Sequence, residues 1–261
     1  MPAKAGPRIL VAVKHAAVLG DDYAFTEDGR DVQPDYLGYV LNEWDDAALE
    51  EALLTVERIG VGEVVAVTVG PEQAEESLRK VLAKGAHRAV RVWHDSLGGA
   101  DPVTVARALA GVARQEQPDL IFAGVQSSDS AHGATGTALA RILGLPYAAV
   151  AVKLEWDGAS TLAVTRELEG GVRHRFGLAS PAVVTIQTGI NKPRYATMRM
   201  VKQAKAKPIV VLDGAAVGRD CAGYVVRRAL APPKGRAQMI QGSGAEVAAA
   251  VAKIIREKRG T

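Results

Sequence analysis

The stretch Glu63–Trp93, EVVAVTVGPEQAEESLRKVLAKGAHRAVRVW, decides the fold. It opens with EVVAVTV, a continuous apolar run that reads as a strand buried on both faces. Gly70–Pro71 closes the strand, and Pro71 suits the first turn of a helix. That helix runs to Lys84, where Gly85 stops it. Ala89–Trp93 is the next strand. Strand, helix and strand at this spacing make a βαβ unit, which requires a parallel pair.

The same grammar extends on both sides. Ile9–Lys14 (ILVAVK) reads as a buried first strand, and Asp45–Ile59 as a helix with Ala48, Leu49, Ala52, Leu53 and Val56 at helical spacing. Between them, Leu19–Leu41 is polar and turn-rich, with a small hairpin expected around Asp28–Gly29. Asp101–Gln115 is a helix with Asp101 as its cap and Pro102 at its first position. Asp119–Gly124 (DLIFAG) is a fourth strand, followed by a polar loop and a helix over Gly133–Leu143. The expected fold class is α/β, a doubly wound, mostly parallel sheet.

After Pro146 the pattern changes. Ala148–Trp156, Thr161–Glu167, Val172–Leu178 and Ala182–Thr188 follow one another as strands without helices, which reads as an antiparallel extension. Ile209–Leu212 is a short late strand. Val217–Gly242 is rich in Gly and Pro and has weak claims to its own core, so it reads as an arm lying across another surface. Ala245–Lys258 is an amphipathic helix with Val247, Val251, Ile254 and Ile255 on one face. The expected organisation is an α/β domain over residues 1–212 and a C-terminal arm and helix over residues 213–261.

No apolar run reaches the roughly 18–20 residues of a membrane span, and the start reads as a strand and not as a signal peptide. A single cysteine, Cys221, excludes an internal disulfide framework or a CxxC site and fits a cytoplasmic protein. A net charge of +3 is too small to argue for nucleic acid.

Ligands of open parallel sheets sit at the carboxyl ends of strands. The richest such loop is Gly124-Val125-Gln126-Ser127-Ser128-Asp129-Ser130-Ala131-His132-Gly133-Ala134-Thr135. Small residues let backbone approach a ligand, hydroxyls are plentiful, and a helix N-terminus follows, which suits a phosphate. An ordinary Ser/Gly loop with a helix cap has the same composition. Asn42 and Asp45 either bond a nucleotide or cap the helix behind them, and capping is the commoner role. The pairs Asp45–Asp46 and Glu50–Glu51 read as solvated faces. His15 follows a buried strand and either faces a cofactor or is a satisfied loop histidine, the second being the commoner role. The five histidines show no metal spacing, and no nucleophile–base set stands out, so the chemistry is expected to reside in a cofactor.

At Gly189 the strand pattern stops. The connector GINKPRYATMRM, Gly189–Met200, carries Tyr195, Met198 and Met200 beside the basic residues from Lys192 to Lys207. Ordering such a loop costs roughly 1–2 kcal/mol per residue, so it reads as a docking loop for an acidic protein with one apolar anchor.

Here the chain resembles the beta subunit of electron transfer flavoprotein. The motif V-x-R-E-x-[DE]-G-G stands at Val164–Gly171, P-A-V-V-T at Pro181–Thr185 and N-x-P-R-Y-A-T at Asn191–Thr197. VAVK at Val11–Lys14, V-G-P at Val69–Pro71 and G-x-Q at Gly124–Gln126 extend the likeness over essentially the whole chain. The resemblance implies a fold akin to the adenine nucleotide alpha hydrolases and a heterodimer with an alpha subunit that binds most of an FAD. It implies an AMP held by the beta subunit at Ala12, Asn42, Glu43, Trp44, Asp45, Val69 and Gly124–Thr135. Glu167 would lie near the flavin or the donor. The loop with Tyr195 and Met198 would meet acyl-CoA dehydrogenase-type donors, with electrons passing to an electron transfer flavoprotein-quinone oxidoreductase. Two departures stand out. The usual N-P-[FY] is Asn42-Glu43-Trp44, and the acidic cluster of the phosphate loop is reduced to Asp129. Electron-bifurcating members place a second FAD where AMP otherwise sits, but Gly133-Ala134-Thr135-Gly136 is closer to the AMP type. A stand-alone nucleotide-binding regulator of the same fold is the reading of another class.

Overall fold

A computed structural model describes residues 6–215, 225–232, 235 and 238–259. Cys221 and much of the arm lie outside them. The elements are β1 (Arg8–Ala12), β2 (His15–Leu19), β3 (Leu37–Leu41), α1 (Glu43–Ile59), β4 (Glu63–Val69), α2 (Glu75–Lys84), β5 (Arg88–Trp93), α3 (Pro102–Glu116), β6 (Leu120–Gly124), α4 (Thr135–Leu143), β7 (Tyr147–Glu155), β8 (Thr161–Glu167), β9 (Arg173–Ala179), β10 (Ala182–Ile186), α5 (Met198–Lys205), β11 (Ile209–Asp213) and α6 (Gly244–Arg259). Among the described residues, no helix is long and apolar enough to cross a membrane.

Nine strands form one sheet in the order β11-β5-β4-β1-β6-β10-β7-β8-β9. Only β8 runs against the rest, pairing antiparallel with β7 and β9. The strand period of two sends Ile9 and Val11 to one face and Leu10 and Ala12 to the other. The first face is covered by α1 and α2, through Ala48, Leu49, Ala52, Leu78 and Val81. The second is covered by α3 and α4, through Ala106, Leu109, Ala110, Leu139 and Ala140. Central strands therefore have no polar face, which is why their sequences do not alternate. Phe122, fully buried in β6, illustrates the scale, since truncating such a side chain costs about 3–5 kcal/mol.

Four expectations change in detail. Ala182–Thr188 was expected within the antiparallel extension. Its strand, β10, instead lies at the sheet centre, parallel to both β6 and β7. Its β-branched residues are buried throughout, as a central parallel strand requires. Pro71 does not open α2; it precedes a short 3-10 turn, Glu72–Ala74, from which α2 continues. Leu19–Leu41 holds more than turns: β2 and β3 pair as an antiparallel two-stranded ribbon. Its exposed Val18, Leu19, Tyr39 and Val40 gave no buried periodicity to read. Finally, Asp45, Glu50 and Glu51 are buried and not solvated, Asp45 against the cleft loop and the two glutamates beneath the connector.

Candidate functional site

The carboxyl ends of β1, β4 and β6 open into one cleft of about 730 Å³. Its wall includes Ala12, Asn42, Asp45, Val69, Gly124–Ser127, Ser130 and His132–Thr135. These are most of the positions selected from the sequence. No side chain caps α4 at Ala134, so the first-turn amides of that helix lack intrahelical partners beside the cleft. Gly133 adopts a left-handed φ of 61° in the approach to this turn. Gly136 admits no side chain, because a Cβ there would collide with Thr185 of β10.

The loop is held by the first turn of α1. Asn42 occupies the N-cap position yet makes no capping bond. Its Nδ2 donates to the Gln126 carbonyl at 2.8 Å, and its Oδ1 accepts the Ser128 amide at 3.3 Å. Asp45 accepts the amides of Gly124 at 2.9 Å and Lys14 at 2.8 Å. The capping role expected of Asn42 is thus replaced by a bracket on the loop. Burial pushes the Asp45 carboxyl up to about 6, with these hydrogen bonds and the Lys14 charge offsetting part of the rise. A Cβ on Gly124 would stand 2.5 Å from both Asp45 Oδ1 and Trp44 Cβ, so only glycine lets β6 and α1 meet this closely.

Two sets of contacts in the cleft rest on partners that the sequence did not disclose. Lys14 Nζ reaches Asp129 Oδ1 at 2.6 Å, with Ser127 Oγ at 3.2 Å and Ser130 Oγ at 3.3 Å. Burial alone would raise the Asp129 carboxyl, but the Lys14, Ser127 and Ala17 hydrogen bonds outweigh it and hold it low. Lys14 directly follows a buried strand, and that position at a strand's carboxyl end was the signal available for it. His15, on β2, stacks on Tyr39 with ring centroids 4.9 Å apart, and its Nδ1 meets Ser77 Oγ at 2.8 Å. Burial lowers its pKa, so at neutral pH the pair forms an uncharged aromatic wall. Its partner comes from the ribbon that the sequence did not disclose.

The remaining selected residues of this region turn elsewhere. Trp44 Nε1 donates to Gln187 Oε1 at 2.8 Å, away from the cleft wall. Glu43 is exposed, and Ala131 sits in a turn at φ 50° with its amide on the Ser127 carbonyl.

A family profile described as "Electron transfer flavoprotein domain" matches residues 32–217. A relative from Methylophilus methylotrophus named electron transfer flavoprotein subunit beta is 48% identical over 262 residues, covering 97% of this chain and 99% of its own. Proteins of the same name from Bradyrhizobium diazoefficiens and Homo sapiens are 38% and 36% identical. They cover 88% and 82% of this chain, and 90% and 84% of their own lengths. The chain belongs to the electron transfer flavoprotein beta-subunit family.

Three positions of this family member lie away from the cleft. Glu167 lines a shallow hollow with Lys153, Thr165, Arg173 and Gln187, where β7 and β8 meet the start of the connector. Tyr195 and Met198 are 89% and 84% exposed. Met198 is the first residue of α5, and Thr197 caps that helix by accepting the Met200 amide at 3.3 Å. The connector itself does not swing free. It lies across α1 and buries Glu50 and Glu51, which explains why those carboxylates leave solvent.

Proposed function

We propose that this chain is the beta subunit of a heterodimeric electron transfer flavoprotein. It holds AMP structurally in the cleft and lends Glu167 to the surroundings of an FAD bound mostly by the alpha subunit. Met198 and Tyr195 dock acyl-CoA dehydrogenase-type donors, and electrons leave to a quinone oxidoreductase. The redox chemistry is the flavin's, so no side chain here acts as general acid or base. Residues 213–261 are the arm and helix that cover the alpha subunit. In support, α6 has no buried residue and exposes Val251, Ile254 and Ile255 along one side. Exposed apolar rows of this kind call for a partner surface.

The observation that carries the nucleotide reading is the uncapped N-terminus of α4 facing the same cleft as Lys14 and the glycine-tight turn at Gly124. Amides and one cation converge there, as a phosphate needs. The His15–Tyr39 wall suits an adenine face. A second FAD is the alternative, favoured by the extension of the cleft past Gly70 to Trp93 and Leu97. Nucleotide extraction from the co-expressed pair separates the two. One FAD and one AMP per heterodimer supports the first reading, and two FAD with no AMP supports the second. Isolation of this chain as a homo-oligomer without a flavoprotein partner would instead support a nucleotide-binding regulator.

A further inference from the structure

We propose that Arg194 is the positioning residue of the docking segment, fixing Tyr195 and Met198 in place on α1 before any partner arrives. The inference rests on the docking role assigned above to those two residues.

Glu50 stands mid-way along α1 and is only 5% exposed. The Arg194 guanidinium meets it through Nε at 2.9 Å and Nη2 at 2.9 Å, and the Arg194 backbone amide donates to the same carboxylate at 3.0 Å. Two helical turns further, Glu57 accepts Nη1 at 2.6 Å and Nη2 at 3.0 Å. One planar fork therefore engages two carboxylates on one helix face, with i,i+7 spacing. A lysine has a single point of contact and cannot reproduce this. Upstream, Asn191 Nδ2 donates to the Ala47 carbonyl at 3.0 Å and Glu51 Oε2 at 3.1 Å. Downstream, Arg79 of α2 donates to the Ala204 carbonyl at 3.0 Å and to that of Lys207.

The segment is thus pinned at both ends while its apolar tips are left out in solvent. Most exposed salt bridges contribute little, because both side chains must be ordered for a screened attraction. This one differs in that Glu50 is desolvated beneath the connector and, among the described residues, takes its counter-charge from Arg194 of that same connector. A loop ordered in advance loses less freedom on association, which strengthens docking without adding any contact. Arg194 itself need not touch the partner.

The test uses the heterodimer co-expressed with its alpha subunit. The variants are Arg194→Gln, Arg194→Lys and the double variant Arg194→Gln with Glu50→Gln, which leaves no buried charge unpaired. Amide hydrogen exchange across residues 195–205 is measured without a partner. Flavin reduction by an acyl-CoA dehydrogenase that reduces the wild-type heterodimer is measured against carrier concentration. Faster exchange in that segment is expected in all three. KM for the carrier should rise about tenfold, equivalent to ~1.4 kcal/mol of docking, with kcat, flavin content and bound nucleotide unchanged. Wild-type exchange and KM in the double variant would overturn the proposal, and so would full recovery by lysine. Met198→Ala with an unaltered KM, alongside faster exchange in the Arg194 variants, would overturn the docking role and leave the positioning of the segment standing.

Discussion

Asp45 Oδ1 accepts the Gly124 amide at 2.9 Å, tying the first turn of α1 to the end of β6. The other oxygen holds the Lys14 amide, so one carboxylate joins three pieces of the cleft. Its ordinary value of 3.8 is raised to about 6 in the fold, chiefly by burial. A raised carboxyl contributes stability that is fully present below pH about 4 and is lost as pH rises through about 6, amounting to about 3 kcal/mol. Denaturant unfolding of the heterodimer between pH 4 and 7 should show this slope. Asp45→Asn should flatten it, and equal slopes in the two proteins would exclude Asp45 as its source.

Gly124→Ala should destabilise by about 1–3 kcal/mol and, on the nucleotide reading proposed above, release the nucleotide, because the new methyl meets Asp45 and Trp44. Gly111 offers the opposite case. It lies inside α3 with nothing within 4 Å of a Cβ. Gly111→Ala should stabilise by roughly 0.5–1 kcal/mol. Thermal melts and nucleotide content of the two variants check both outcomes.

Asp129 holds Lys14 Nζ at 2.6 Å. A phosphate entering the loop competes with that carboxylate for the same ammonium. If the cleft holds AMP as proposed, Asp129→Asn should tighten its binding and Lys14→Met should weaken it, each by a factor on the order of ten for one partly screened charge. Calorimetric titration of nucleotide-depleted heterodimer measures both. Weaker binding by Asp129→Asn would show that the carboxylate shapes the loop more than it competes.

Arg194→Gln leaves Glu50 buried and uncompensated, a loss of about 3 kcal/mol that should appear as a lowered melting temperature. Adding Glu50→Gln should return more than half of it. The Arg194–Glu57 half of the fork, which draws the Glu57 carboxyl down through its hydrogen bonds, is more exposed. Glu57→Gln alone should change the melting temperature little.

The sheet and its helices were legible because each buried element carries its own period and its own stop signal. Asp101 is a clear case: it accepts the Val103 and Thr104 amides at the head of α3, as its place before Pro102 implies. The cleft was legible for the same reason, since strand ends and a Gly/Ser loop are local signals. What the sequence withheld depends on partners far along the chain. Glu50 looks like any helical glutamate until Arg194 is laid over it. Asn42 looks like a cap until the loop at Gln126 arrives to take its amide. The place of β10 was hidden because a strand of AVVTI states its burial but not which neighbours it will have.

That place has a consequence for how the chain is made. β10 fills the gap between β6 and β7, and Thr185 packs against the head of α4. Until Ile186 has been synthesised, β6 ends the sheet with an open row of backbone donors and acceptors. An apolar edge of that kind pairs readily with a second chain. Nascent chains that end between Leu143 and Ala182 are therefore the ones most in need of a chaperone, and ribosomal pausing in that interval would lower the yield of assembled protein.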